Sequence, residues 1–375
     1  MKQAAVSFPG DGFFCFHFPE NYNLSEVYMM VSKMVTGSLL VLSLVLLATA
    51  GRAERVVTLM THDSFNVSEA VLAVFEKDNM VKVRVLKAGD AGSALVQAIL
   101  AKDNPQADVF FGVDTTFMSR ALAADIFVPY ASPQLAHIPA DLQIDQQNRL
   151  LPVDYGDVCL NYDLNWFRTH KLAPPTDLTD LVKPAYAGLT VVENPATSSP
   201  GLAFLLATIG RFGAEGYREF WQGLRANKVI VANGWEDAYY GHFTAASKGD
   251  RPIVVSYASS PAAAVYYADP PVSEAPTAAL LADRTTYRQI EFVGILKGAK
   301  EPELARKLVD FMLDRQFQED IPLQMFGFPA HAKARLPEVF KRHAKLASQP
   351  ISLPPATIEA NRERWLDEWT STVLR

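Results

Sequence analysis

Carboxylates, hydroxyls and aromatic rings recur in short segments that follow predicted β-strands. The segments are Thr61-His62-Asp63-Ser64-Phe65, Asp90-Ala91-Gly92-Ser93, Asp114-Thr115-Thr116, Thr197-Ser198-Ser199-Pro200-Gly201, Asn233-Gly234-Trp235-Glu236 and Ser256-Tyr257-Ala258-Ser259-Ser260-Pro261. Ligands of open α/β sheets bind outside the carboxyl ends of the strands. An aromatic face attracts a cation, and a carboxylate accepts its hydrogen-bond donors. The segments therefore predict a cleft that binds a small organic cation.

Two of these segments also have the pattern of a helix start. Ser199-Pro200 and Ser260-Pro261 each place a hydroxyl cap before a proline at the first helical position. Capping and ligand binding are compatible roles, because a free helix N-terminus attracts phosphate. Both roles therefore stay open for these serines.

The acidic and aromatic residues of the segments differ in what we expect of them. Asp63 and Asp90 are each interpreted either as a helix cap or as a ligand contact. Asp114 is expected to have a structural role. Trp235 and Tyr257 are expected in the cleft, because an indole after glycine at a helix start is difficult to bury.

The sequence shows no catalytic or metal-binding motif. It lacks a Gly-x-Ser-x-Gly elbow, a His-Glu-x-x-His pair, a Walker loop and a Gly-x-Gly-x-x-Gly fingerprint. The histidines after residue 53 do not have metal-ligand spacing. There are two cysteines, and Cys159 lies in an apolar run that favours a buried structural thiol. We therefore expect no enzyme activity, no catalytic residue, no metal and no cofactor.

Short β-branched runs alternate with helical patterns, which predicts an α/β protein with mostly parallel sheets flanked by helices. Strands are predicted at residues 56–60, 81–86, 109–113, 189–192, 229–231 and 253–257, with a long extended run at 151–162. One helix is predicted to begin at a capping box, Asn66-Val67-Ser68-Glu69, and to run to about Lys77. Further helices are predicted at residues 93–102, 200–212, 235–247, 301–313 and 358–374.

Residues 33–53 have the three parts of a secretory signal peptide. Lys33 precedes an apolar run at residues 35–50, and Gly51-Arg52-Ala53 forms a small-x-Ala cleavage site. The run is shorter than the about 20 residues of a membrane span. Residues 1–28 do not fit a signal peptide, so we expect translation to start at Met29, Met30 or Met34, with an unusual leader extension as the alternative. Residues 1–53 are predicted to be a leader.

Composition agrees with an ordinary globular protein after the leader. The chain has 35 basic and 41 acidic residues, for a net charge of −6. Residues 54–375 are long enough for two domains of about 100–200 residues each. An acidic chain without a Lys/Arg cluster is not expected to bind nucleic acid.

The order of the motifs over residues 54–375 resembles the thiamine-binding periplasmic proteins of ABC importers. The motifs that carry this resemblance are Thr61-His62-Asp63-Ser64-Phe65, Ala107-Asp108-Val109 with Gly112-Val113-Asp114, Asp154-Tyr155-Gly156, Thr197 to Leu202, Gly234 to Tyr239 and Ser256 to Ala262. Each motif is short, but their shared order and spacing make the resemblance specific.

The resemblance implies a two-lobed periplasmic binding protein fold of type II, with a hinge that closes the lobes on thiamine and its phosphate esters. Residues 54–155 with 257–345 would form one lobe, and residues 156–256 with 346–375 the other. A monomer in the periplasm that delivers its ligand to a membrane ABC permease is expected.

The resemblance also implies the ligand contacts. They are His62, Asp63, Asp90, Ala91, Ser198, Ser199, Trp235, Tyr257, Ala258, Ser259, Ser260 and Phe326. Three positions depart from the family pattern. His62 stands where a tyrosine is usual, Ala263 where an aromatic residue is expected, and the segment at Phe326 where a tryptophan is usual.

Two alternatives use other residues. A ferric-ion or other small-cation binder of the same fold could use Tyr239-Tyr240 or Tyr266-Tyr267, although we expect both pairs to pack in the core. A secreted thiamine-degrading enzyme would need Cys159 as its nucleophile.

Overall fold

The computed structural model describes residues 2–7, 13–18, 25, 29, 33 and 54–375. Contacts divide the chain into two compact units, Met1–Glu54 and Arg55–Arg375. In the first unit, strands β1 (Lys2–Ser7) and β2 (Phe13–Phe18) pair antiparallel. The predicted apolar run at 35–50 and the cleavage site at 51–53 lie outside the described residues. Among those that are described, no helix has the length and apolarity needed to cross a membrane.

The second unit alternates strands and helices, which confirms the α/β prediction. Its strands are β3 (Arg55–Thr61), β4 (Val81–Lys87), β5 (Val109–Asp114), β6 (Phe127–Val128), β7 (Leu151–Asp163), β8 (Thr190–Glu193), β9 (Ile230–Ala232), β10 (Ile253–Tyr257), β11 (Thr277–Ala279), β12 (Tyr287–Leu296) and β13 (Phe328–Pro329). Its α-helices are α1 (Glu69–Asn79), α2 (Ala91–Leu100), α3 (Met118–Ala123), α4 (Leu164–His170), α5 (Ser199–Ala226), α6 (Ser260–Tyr266), α7 (Pro302–Leu313), α8 (Arg315–Gln324), α9 (Glu338–His343) and α10 (Pro355–Val373). Short 3₁₀-helices span Pro133–His137, Leu178–Val182 and Pro184–Tyr186, and a π-helix spans Asp237–His242.

Two parallel groups of strands flank a pair of central antiparallel strands. The sheet order is β4-β3-β5-β12-β7-β10-β8-β9. Strands β4, β3 and β5 run parallel to one another, as do β10, β8 and β9. The long strands β7 and β12 pair antiparallel with each other and with their other neighbours. The predicted crossing run at 151–162 is thus strand β7. The predicted lobe boundaries remain a prediction.

The turns after the two outermost strands meet, although β4 and β9 lie at opposite ends of the sheet order. Asp90 follows β4, and its Oδ2 accepts a hydrogen bond of 2.9 Å from the N–H of Trp235, which follows β9. Nearby, a Cβ on Gly92 would lie only 2.6 Å from the carbonyl oxygen of Thr197, so this approach requires glycine. The sheet therefore curls until the carboxyl ends of its two parallel groups face each other.

The core is aromatic where the C-terminal helix docks. Helix α10 packs on α5, with the rings of Trp369 and Trp221 at 5.6 Å in an edge-to-face arrangement. The indole N–H of Trp221 donates a 2.9 Å hydrogen bond to the hydroxyl of Thr208. These contacts hold the C-terminal helix against α5.

Helix α1 corrects the predicted capping box. Ser68 is the N-cap residue, but its side chain makes no hydrogen bond to the helix. Instead, its hydroxyl and its N–H donate to the carboxylate of Asp320 in α8, at 2.9 and 2.7 Å. The capping box is wrong because a tertiary partner takes the hydroxyl.

Two other helices differ in length from their predictions. The helix predicted at 200–212 continues to Ala226 after a break at Gly213, where φ is 78°. The helix predicted at 235–247 ends early, at His242. Phe243 forms a β-bridge with Arg251, and the Thr244 hydroxyl donates a hydrogen bond to Asp163. These two contacts are incompatible with a longer helix, so the helix ends before Phe243.

A candidate ligand-binding cleft

A cavity of about 850 Å³ lies between the facing ends of the two parallel groups. Most of the predicted ligand contacts are in its wall: His62, Asp63, Asp90, Ala91, Ser199, Trp235, Tyr257, Ser259, Ser260 and Phe326. Ser198 and Ala258 are not in the wall, and both are buried behind it. The fold thus brings together residues from distant segments. Their contact with a ligand stays a prediction.

One side of the cavity is an aromatic wall, formed by Trp235, Tyr239, Tyr240 and Tyr257. The Trp235 ring stacks on Tyr239 at 5.0 Å and meets Tyr240 edge-on at 5.6 Å. Tyr257 lies 6.4 Å from the indole. The indole N–H donates a 2.9 Å hydrogen bond to the hydroxyl of Ser256, which fixes the ring. Preorganised faces of this kind bind flat or cationic rings.

The tyrosine pairs correct the expectation of core packing. Tyr239 is buried, but Tyr240, Tyr266 and Tyr267 are 57, 47 and 60 % exposed. Tyr267 lines the cavity one helical turn after Ala263, whose carbonyl accepts its N–H, and the Tyr267 ring lies 5.6 Å from that of Phe326. Tyr240 and Tyr267 line the cavity, so protein packing does not cover them. Tyr267 therefore places an aromatic ring near Ala263.

A second part of the cavity wall, called here the acidic wall, is formed by His62, Asp63, Asp154 and Glu291. Asp154 in β7 lies directly across from Glu291 in β12. Burial raises the pKa of Asp154 to about 7. Burial, followed by repulsion from Asp154, raises the pKa of Glu291 well above its usual range. Two acids in contact therefore share this part of the cavity.

His62 is neutral at pH 7. Its Nε2 lies 3.5 Å from Glu291 Oε1, yet burial and the nearby Lys87 lower the pKa of the imidazole to about 4. Its ring packs against Gly112, where a Cβ would lie 2.6 Å from His62 Cδ2. The tight packing explains why the ring is desolvated and uncharged.

Asp63 does not cap a helix. Its Oδ1 accepts a 3.0 Å hydrogen bond from the N–H of Gly89, and its own N–H donates to the Gly89 carbonyl. The ammonium of Lys87 donates to the Asp63 carbonyl at 2.6 Å. The helix-cap interpretation is wrong for this residue, because its carboxylate joins the turns after β3 and β4.

Negative charge exceeds positive charge around the cavity. Among residues 54–375, its wall contains Asp63, Asp90, Asp154, Glu236, Asp269 and Glu291, with Lys87 as its one lysine and no arginine. A concave surface lined by carboxylates attracts cations and repels anions.

Asp90 joins the two sides of the cavity. Its carboxylate caps α2 through the Ala91 N–H at 2.7 Å, which confirms the cap interpretation. The same carboxylate accepts the N–H groups of Trp235 at 2.9 Å and Ser199 at 3.4 Å. Burial raises its pKa, and these donors oppose the rise.

The serine–proline helix starts differ from their predictions by one residue. The N-cap positions are Ser198 and Ser259, and neither side chain caps its helix. The Ser199 hydroxyl donates instead to the buried carboxylate of Asp114. Asp114 also accepts from the N–H and hydroxyl of Thr116, so its structural role is confirmed. The Ser260 hydroxyl accepts the N–H of Tyr257 at 3.2 Å.

Cys159 lies in β7 with no exposed surface and is not in the cavity wall. Burial raises the pKa of its thiol well above the usual range. The prediction of a buried structural thiol is confirmed.

Sequence reasoning missed several polar residues of the wall, among them Asp154, Gln289 and Glu291. Asp154 Oδ2, Gln289 Oε1 and His62 Nε2 are buried and have no hydrogen-bond partner within the described part of the chain. Buried polar atoms normally have partners. These atoms are therefore candidates for contact with a polar ligand. The motif Asp154-Tyr155-Gly156 was a signal for the first of them, but Gln289 and Glu291 had none.

A two-lobed cleft with an acidic and aromatic interior defines a solute-binding protein. The family described as bacterial extracellular solute-binding protein matches residues 104–347. The chain belongs to this family.

Individual relatives extend the match. The thiamine-binding periplasmic protein of Escherichia coli (strain K12) is 31 % identical over 340 residues, covering 89 % of this chain and 98 % of that relative. A solved periplasmic thiamin binding protein superimposes with a TM-score of 0.77 at 28 % identity, covering 87 and 98 %. The ferric binding protein from Campylobacter jejuni, with a TM-score of 0.67 at 18 % identity and coverage of 84 and 99 %, shares the fold alone. These matches confirm the two-lobed type II fold and the solute-binding role.

Proposed function

We propose that this protein captures thiamine in the periplasm, as a monomer, and delivers it to a membrane ABC permease. The observation that carries the proposal is a single cavity whose wall combines the aromatic rings with the carboxyl groups. The thiamine-binding relatives support the same ligand. A cleft formed by two lobes suits a hinge motion that encloses the ligand and presents a closed form to the permease.

The two halves of thiamine match the two walls. The thiazolium ring is a permanent cation, and an aromatic face holds such a cation by about 0.5–2 kcal/mol. The exocyclic amine of the aminopyrimidine is a donor, which suits Asp154 Oδ2 and Gln289 Oε1, two acceptors without a hydrogen-bond partner among the described residues. The cavity of about 850 Å³ falls within the range of small-molecule sites.

Phosphate esters of thiamine should bind more weakly than thiamine. The N-terminus of α5 is where a phosphate would be expected, but the Ser199 N–H already points to the carboxylate of Asp90. A phosphate there would face Asp90, and its charge would oppose that of the other cavity acids.

Calorimetric titration of the purified chain with thiamine and with its mono- and diphosphate tests this proposal. We expect one thiamine per chain and progressively weaker binding of the two esters. Absence of thiamine binding would overturn the proposal, and equal affinities would overturn the preference.

Two control measurements address the alternatives. Mass spectrometry of bound thiamine should recover the intact vitamin, whereas a cleaved methylene bridge would show catalysis. Titration with ferric ion should produce no visible absorption band, because Tyr239 is stacked against Trp235 and, within the described residues, no group of three or more His, Cys, Asp or Glu could hold a metal.

A further inference from the structure

Two acidic residues of the cavity are held against each other by strand pairing. Asp154 and Glu291 are opposite partners in the antiparallel ladder between β7 and β12, and both line the cavity. Directly opposed residues have Cβ atoms about 4.5–5.5 Å apart, and like charges in that position repel. Because two central strands impose this proximity, the Cβ atoms of the two acids cannot separate without disrupting the sheet.

Within the part of the chain that the structure describes, no charged basic group forms an ion pair with either acid. His62 is uncharged, and the Lys87 ammonium donates to the carbonyl of Asp63. Arg288 lies on the same strand as Glu291, but it forms an ion pair with Asp157. Within residues 54–375, the other titratable groups that interact with Glu291 are acids or a tyrosine: Asp90, Asp114 and Tyr257.

A shared proton resolves the conflict in the absence of a cation. With both acids ionised, Asp154 Oδ2 has no donor among the described residues. A proton on either acid supplies that donor and removes one charge. Burial raises the pKa of both carboxyl groups, which favours this protonated form near pH 7.

We propose that the Asp154–Glu291 pair is a proton-exchange site that holds one proton in the cation-free cavity and releases it when a cationic ligand binds. The positive charge of the ligand replaces that of the proton, so the pair ionises on capture. The proton passes to solvent, and no covalent bond of the ligand changes. This inference rests on the proposed function for the identity of the cation.

Ligand affinity should then depend on pH with a defined sign. Below the range in which the pair loses its shared proton, binding must displace that proton. The association constant therefore rises with pH, by up to about tenfold per unit. Above that range the pair is already ionised, and the association constant levels off. A cation-binding site without this exchange would show no such rise.

Calorimetry in two buffers of different ionisation enthalpy, PIPES and Tris, measures the proton count directly. At pH 7 we expect thiamine to release a substantial fraction of one proton from the native chain. The double variant Asp154→Asn/Glu291→Gln should abolish this release and flatten the pH dependence, because it removes both groups that can hold the shared proton. Each single variant leaves one acid whose pKa burial still raises, so it should retain part of the release, and the single variants serve as the second measurement if the double variant fails to fold.

Glu236→Gln is the matched control. It removes an exposed acid of the cavity wall, so it should weaken thiamine binding slightly and leave the proton count unchanged. Thiamine is the same in every titration. If proton release decreases only when Glu291 or Asp154 is substituted, the released proton comes from the pair.

The outcomes separate the two proposals. Thiamine binding with no proton release, or with equal release from all variants, would overturn the proton-exchange site and leave the proposed function standing. No thiamine binding at all would overturn the proposed function.

Discussion

The two walls of the cavity use different physics for the same task. The aromatic wall around Trp235 is formed by neutral rings whose hydroxyl protons are held more tightly than usual, because burial raises the pKa of Tyr239 and Tyr257 well above the ordinary value. The acidic wall contains a carboxyl group, Asp154, whose pKa is about 7. One wall should therefore bind with equal strength at every physiological pH, whereas the other should respond to pH.

The aromatic wall should supply most of the affinity, and the acidic wall should supply the selectivity for cations. Stacking accepts any flat ring of suitable size, and a cation adds to it. The acidic wall repels anions and attracts cations. Neutral aromatic compounds should therefore use only half of the site. Three variants test this division, from the largest expected effect to the smallest.

Removal of the central ring should cause the largest loss. Trp235→Ala should weaken thiamine binding about 30- to 100-fold, or about 2–3 kcal/mol, because stacking and cation–π attraction are both lost. The proton count should not change, since the acidic wall is intact. Calorimetry at two pH values measures both quantities.

Trp166→Ala is the control for this variant. Trp166 stacks on His170 at 3.9 Å and is not in the cavity wall. Its removal should lower thermal stability and leave the dissociation constant unchanged. An unchanged constant in Trp235→Ala would exclude Trp235 from the site.

Asp90 links the walls, and its substitution should have an intermediate effect. Asp90→Asn keeps the shape but weakens the hydrogen bonds from Trp235 and Ser199, because a neutral oxygen accepts less strongly than a carboxylate. We expect thiamine affinity to fall about 5- to 10-fold, or about 1–1.4 kcal/mol. Asp103→Asn, on an exposed turn, should change nothing. Full affinity in Asp90→Asn would limit this residue to its capping role.

An added ring on the acidic wall should have the smallest effect. His62→Tyr adds aromatic surface to the same cavity as Trp235 and should tighten thiamine binding about 2- to 3-fold. His170→Tyr, at an exposed position, should leave affinity unchanged. Weaker binding by His62→Tyr would show that the neutral imidazole itself contacts the ligand.

Local sequence patterns predicted the elements whose identity depends on neighbours in the chain. The strand at Ile253–Tyr257 was predicted with its observed bounds, and the buried run that became β5 needed no tertiary information. The capping box at Ser68 failed because Asp320, far along the chain, competes for the hydroxyl. The helix after Trp235 was predicted too long for the same kind of reason, since Thr244 is held by Asp163.

Prediction of the candidate site succeeded or failed for the same reasons. Trp235, Tyr257 and Asp90 were found because each follows a strand in a recognisable turn. Glu291 lies inside strand β12 and resembles any outward-facing polar residue until its partner is known. Tyr240 and Tyr267 were predicted to lie in the core, but both are exposed. The sequence shows that a side chain is aromatic, but it does not show whether that side chain packs against protein or lines a cavity.

The sequence by itself determined the alternation of strands and helices and which turns carry rings and acids, because both depend on residues close together in the chain. The tertiary structure alone decided that the turns after β4 and β9 meet and that Asp154 faces Glu291. Curling of the sheet and strand register produce these contacts, and both depend on pairing between segments far apart in the chain.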